Sequence, residues 1–202
     1  CTKVHGYVDM HRAMVQSCNV YFWHIAEQIG LDRLNRYATA FGLGERTGIG
    51  INSEARGFLA SRAWYEENYG RYRMGYTLNT SIGQGNTRVT LVQLALAYAA
   101  MANGGTLYAP QLIERIETPD GRIIEELTPQ VRRRLDLPPS ALAYNHESLV
   151  GVVNHPDGTA FNARIEGGVI IAGKTGTAQV APGIMRPGVD PRRAWYFSQS
   201  HA

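Results

Sequence analysis

From Gly168 the chain runs Gly-Val-Ile-Ile-Ala-Gly and continues as Lys174-Thr175-Gly176-Thr177-Ala178-Gln179-Val180. An unbroken β-branched apolar run predicts a strand buried on both faces, and so a place at the centre of a sheet. A cation stands directly at the end of that run, followed by hydroxyls and by a Gly that admits a ligand close to the backbone. An ammonium beside a buried strand is costly unless it meets an anion, a carboxylate or a proton-transfer partner. Lys174 therefore marks one wall of a candidate active site.

Lys-Thr-Gly alone is short enough to recur by chance, and a second element is needed. Ser17-Cys18-Asn19 supplies one, just ahead of a helix expected to begin Val20-Tyr21-Phe22-Trp23. Taken singly, that Ser reads as a helix N-cap. Together and in this order, the two stretches resemble the penicillin-binding transpeptidases and serine β-lactamases, whose marks are Ser-x-x-Lys, Ser-Asp-Asn and Lys-Thr-Gly. Thr80-Ser81-Ile82-Gly83-Gln84-Gly85, the Asn103-Gly104-Gly105 helix exit and the Thr47-Gly48-Ile49 turn look like class B penicillin-binding proteins. Val150-Gly151-Val152-Val153-Asn154 and Pro156-Asp157-Gly158-Thr159-Ala160 narrow the likeness to the elongation transpeptidases of that class. The similarity covers essentially the whole chain.

The resemblance implies an α+β transpeptidase fold of the penicillin-binding and serine β-lactamase kind, with a central antiparallel sheet flanked by helices and an all-helical lobe. Residues 1–104 would form the mostly helical lobe with the Ser-x-Asn motif, and 105–202 the hairpin arm, a helix and the Lys-Thr-Gly strand. The family's chemistry is serine acyl transfer: a Ser attacks a D-alanyl-D-alanine bond, D-alanine leaves, and an amine of a neighbouring stem peptide resolves the acyl-enzyme. By resemblance, Lys174 attracts the substrate carboxylate and lowers neighbouring pKa values, while the Thr175 and Thr177 hydroxyls bind that carboxylate. Ser17 passes a proton toward the leaving amine, Asn19 holds the substrate amide carbonyl, and the Thr177 N–H is one oxyanion donor. Gly176 leaves room for a substrate lying along the strand edge, where a side chain would block it. Cys18, in the variable middle position, is expected to pack.

One departure is plain: no Ser or Thr in the chain has a Lys three residues on. In the family that motif precedes Ser-x-Asn, so the resemblance implies an internal piece of a longer domain, incomplete at both ends and unable by itself to form an acyl-enzyme. The implied parent is membrane-anchored with its catalytic domain in the periplasm, works with the cell-elongation machinery on peptidoglycan stem peptides, and is acylated by β-lactams. No cofactor or catalytic metal is expected. Two other readings stand beside this one. A serine β-lactamase shares the scaffold, and an inert penicillin-binding-like module would serve as a partner or sensor.

At 202 residues, 44% of them apolar and 18% charged, the chain can bury the core of one domain. Its net charge of +3 comes from scattered Arg, densest at Arg132-Arg133-Arg134, which reads as a solvated face and not as a nucleic-acid site. There is no signal peptide and no apolar run of membrane-spanning length. The two cysteines, Cys1 and Cys18, leave both pairing and free thiols open. Neither they nor the six His show a metal-ligand spacing.

Helical periodicity predicts helices from Asp9 to Ser17, Val20 to Gln28, Leu31 to Phe41, Thr90 to Ala102 and Ala141 to Val153. The apolar Thr90–Ala102 helix is expected to be a buried spine. Gly105–Ile124 reads as a hairpin-like arm turning at Pro119-Asp120-Gly121, and residues 128–139 as exposed. Aromatics between Ser61 and Met74 either pack among themselves or line a groove.

Overall fold

The computed structural model describes residues 1, 3–165 and 167–177. Ala178, Gln179 and Val180 of the opening motif lie outside the described residues. In chain order the elements are α1 (Met10–Val15), α2 (Asn19–Ala40), α3 (Arg62–Tyr69), α4 (Met74–Ser81), α5 (Leu91–Ala102), β1 (Thr106–Tyr108), β2 (Arg115–Glu117), β3 (Ile123–Glu126), β4 (Val131–Arg134) and α6 (Pro139–Asn154). The chain divides into two compact units: one from residues 1–31, 71–85 and 143 onward, the other from 32–70 and 86–142.

The first unit opens with α1, where the Asp9 carboxylate accepts from the Arg12 N–H at 2.7 Å and satisfies a first-turn donor. Asn19 begins α2, whose helical run breaks at Gly30 (φ 74°, ψ 164°), the stop expected there. α6 places Val152 and Val153 in full burial, where they meet Ala160, Met14 and Ile171. Gly151 lies so close to α1 that a Cβ there would sit 2.8 Å from Val15 Cγ2. His11 Nδ1 and the buried Ser148 hydroxyl, 3.1 Å apart, pin the same two helices together.

The second unit is centred on α5, which packs against β1. Thr90 and Gln93 form a capping box. At the far end Asn103 both donates to Thr106 O and accepts from Thr106 N at 2.8 Å, across two glycines at φ 83° and 96°. Only Gln93, Ala97 and Ala100 of α5 are buried, and Leu91 is 80% exposed, so the expected spine is a one-sided helix. Gln93 is 1% exposed; its side-chain N–H groups reach the carbonyls of Glu45 and Arg56, each at 2.7 Å. The aromatics of α3 pack among themselves and on Phe58, with Tyr65 fully buried.

Among the described residues, two antiparallel ladders, β1 with β4 and β2 with β3, form two separate two-stranded sheets in place of the expected central sheet. The hairpin arm is β2–β3, turning through Thr118–Arg122. Residues 128–139 are mostly exposed, Arg134 included, as expected; Arg132 and Arg133 of β4 are a correction, half-buried where both pair with Glu45 and Arg133 donates to Thr39 O at 3.0 Å. Two charges of such a run are drawn in where a carboxylate and backbone carbonyls wait for them, a partnership that spacing cannot reveal. The apolar run before Lys174 is a second correction. Among the described residues it joins neither ladder, and Val169 and Ile170 are 53% and 71% exposed. A β-branched run buries both faces only when strands flank it; here its described bonds go to α6. No helix among the described residues is long and apolar enough to cross a membrane.

Candidate active site

Ser17 owes its position to the way α1 ends. The Cys18 N–H bonds to Ala13 O at 2.8 Å and the Ser17 N–H to Met14 O at 3.2 Å, the paired bonds of a Schellman ending. That ending needs a left-handed residue, usually Gly, and Ser17 fills it at φ 53°. Ser17 is thus the terminating residue of α1 and not an N-cap of α2. Asn19 follows as the first residue of α2.

The Lys174 segment is held by the last turns of α6. Gly173 N donates to Leu149 O at 3.1 Å, and the Asn154 amide, itself bonded to Val150 O, donates to Ile171 O at 2.8 Å. This pair of bonds brings Lys174 to Ser17: Nζ donates to Ser17 Oγ at 2.9 Å across 157 positions of sequence, and also to Thr175 O at 3.1 Å. Burial holds the Lys174 ammonium below the ordinary lysine value, because desolvation penalises the charged form. An amine so placed exchanges protons with a hydroxyl more readily than a free lysine. The Thr175 hydroxyl lies 2.8 Å from that of Thr159, and Gln84 Nε2 donates to Thr177 O at 2.5 Å. Gly176 and Thr177 are exposed, so their backbone is open to a ligand.

All six residues singled out from sequence therefore lie in the first unit, in two stretches joined by the Lys174–Ser17 bond. Sequence reasoning missed the supporting set of Gln84, Asn154 and Thr159. The resemblance had marked their segments, but not these side chains as the ones that reach across.

A further cluster escaped the spacing argument. The ligand atoms of Cys1, His5 and Cys18 all lie within 4.8 Å of one another, and the two free thiols are 3.9 Å apart. Two sulfurs and an imidazole suit a thiophilic divalent ion such as zinc. Cys1-x-x-x-His5 was the available signal, too irregular to read without the fold bringing up Cys18.

The site joins a partly buried amine to a serine hydroxyl, beside two further hydroxyls and an open backbone, in a unit whose described elements are helices. The chain belongs to the penicillin-binding protein transpeptidase domain family, whose model matches residues 2–198. It is 32% identical over 188 residues to the peptidoglycan D,D-transpeptidase MrdA of Acinetobacter baumannii, covering 87% of this chain and 26% of the relative. With the MrdA of Haemophilus influenzae the identity is 33% over 179 residues, covering 87% and 27%. Among solved structures, the Pseudomonas aeruginosa PBP2 in complex with WCK 5153 is similar at a TM-score of 0.73 and 32% identity, over 87% of this chain and 39% of that one. The Helicobacter pylori PBP2, solved in complex with MreC, gives 0.73 and 28%, over 87% and 31%. The chain thus spans about a quarter of the length of these curated relatives.

Proposed function

We propose that this chain is part of a serine-type peptidoglycan D,D-transpeptidase of the elongation class, related to PBP2, which cross-links stem peptides and is acylated by β-lactams. One observation carries the reading: the Lys174 ammonium donating to the Ser17 hydroxyl at 2.9 Å, in a chain of this family. Acyl transfer needs a path for the proton, donors for the oxyanion and a clamp for the substrate carboxylate. Ser17 and Lys174 form the proton path toward the leaving amine, and Asn19 orients the substrate amide. The Thr175 and Thr177 hydroxyls with the Lys174 charge form the clamp, and the Thr177 N–H is an oxyanion donor. Gly176 keeps the backbone bare for a substrate laid alongside it.

The nucleophile belongs to a Ser-x-x-Lys motif that these 202 residues do not contain, so this stretch alone forms no acyl-enzyme. The parent is membrane-anchored, acts in the periplasm and works with other elongation proteins; the likeness to a PBP2 solved with MreC supports the last of these alone. The test is to mix the complete transpeptidase domain with a chromogenic cephalosporin. A single burst of one equivalent, leaving a covalent adduct, is the expected result. Sustained turnover would make it a β-lactamase, and the absence of any adduct would make it an inert module.

A further inference from the structure

The turn Pro156–Ala160 has no part in the chemistry described above, yet it touches both stretches of the site. It folds tightly against the end of α6. A Cβ on Gly158 would lie 2.3 Å from Val152 O and 2.7 Å from Gly151 O, so only Gly permits this path. Beyond it, Ala160 N bonds Val152 O at 3.0 Å and its methyl is buried in the small apolar cluster under α6. Thr159 is thereby fixed between two anchored neighbours. Its N–H donates to Val15 O at 3.2 Å, two residues before Ser17, and its hydroxyl lies 2.8 Å from that of Thr175.

A hydroxyl has one proton and two lone pairs. If Thr175 spent its proton on Thr159, it would have none to offer a carboxylate. If Thr159 donates, the Thr175 proton is free to point outward, and the pair reinforces itself as a short chain of bonds. We propose that Thr159 is a positioning residue that donates its hydroxyl to Thr175, leaving the Thr175 proton for the substrate carboxylate, while its backbone holds the end of α1, and with it Ser17, beside Lys174. This rests on the transpeptidase reading. It adds a specificity role for a residue that never touches substrate.

The experiment uses the complete transpeptidase domain, with acylation by a fluorescent penicillin compared with acylation by its carboxylate methyl ester. Thr159→Val, which keeps the shape and removes the hydroxyl, should slow acylation by the acid about three- to tenfold, the worth of one hydrogen bond. Thr159→Ser should restore it to within about twofold, and neither change should alter the rate with the ester. Thr159→Ala carries the same expectation as Val if the branched variant does not fold. Equal losses on acid and ester, or no loss on the acid, would overturn the proposal while leaving the transpeptidase reading intact. An unsubstituted domain that takes up neither compound would overturn both.

Discussion

Ser17 occupies a backbone conformation that its side chain disfavours, and the reason is visible in what its hydroxyl does. At φ 53° it sits where a helix ending of this type normally carries Gly, with the Cβ pressed toward the following carbonyl. Such strain, of order 1–2 kcal/mol, persists where something else over-determines it. Here that is the bond from Lys174, an ammonium whose own burial lowers its pKa and so also destabilises the fold while it is charged. In the proposed roles, both residues trade stability for chemistry. Ser17→Gly should therefore raise the unfolding free energy, by about 1 kcal/mol in urea titration, and abolish penicillin labelling of the complete domain. A lower urea midpoint would mean that the Lys174 contact outweighs the backbone strain.

At the scale of elements, Gln93 shows what one buried polar side chain can join. It closes the capping box of α5, and its amide also satisfies two loop carbonyls 37 and 48 residues upstream. The fit is close: a Cβ on Gly57 would lie 2.8 Å from Gln93 Oε1. Gln93→Leu would orphan both carbonyls and lose the cap bond; at 1–3 kcal/mol per orphaned group the cost should be about 3–5 kcal/mol, read as a fall in the urea midpoint. A cost under about 1 kcal/mol would mean that water replaces the amide. The helix itself was legible, since Thr90, the apolar period and the Asn103-Gly104-Gly105 exit are all local signals. The role of Gln93 was not, because its partners are backbone groups that only the fold delivers. The same distinction explains Arg132 and Arg133, whose partner Glu45 is remote in sequence, and the run before Lys174. β-Propensity predicts a strand for that run, yet its described backbone is braced by helix α6. The pair Ser17 and Lys174 was legible through motif resemblance, whereas the side chains that hold them in register were not.

At the scale of the whole chain, the first unit is assembled from residues 1–31, 71–85 and 143 onward, and each of the three stretches contributes to the site: Ser17 from the first, Gln84 from the second, Lys174 and Thr177 from the third. No one of them could hold the geometry alone, because the bonds that define it run between them. The apolar cluster of Val152, Val153 and Ala160, with Met14 and Ile171 packed against it, lies beneath the same junction. Site and core should then melt as one cooperative event, not with the site fraying first. Val152→Ala, at a position with no exposed surface, should cost about 2 kcal/mol from lost burial and the cavity left behind. In the complete domain, the urea midpoints for tryptophan fluorescence and for penicillin labelling should fall together by the same amount. Labelling that disappears well below the fluorescence midpoint would show instead that the Lys174 segment detaches from an otherwise folded unit, and that the bonds from Asn154, Leu149 and Thr159 are too weak to couple it to the core.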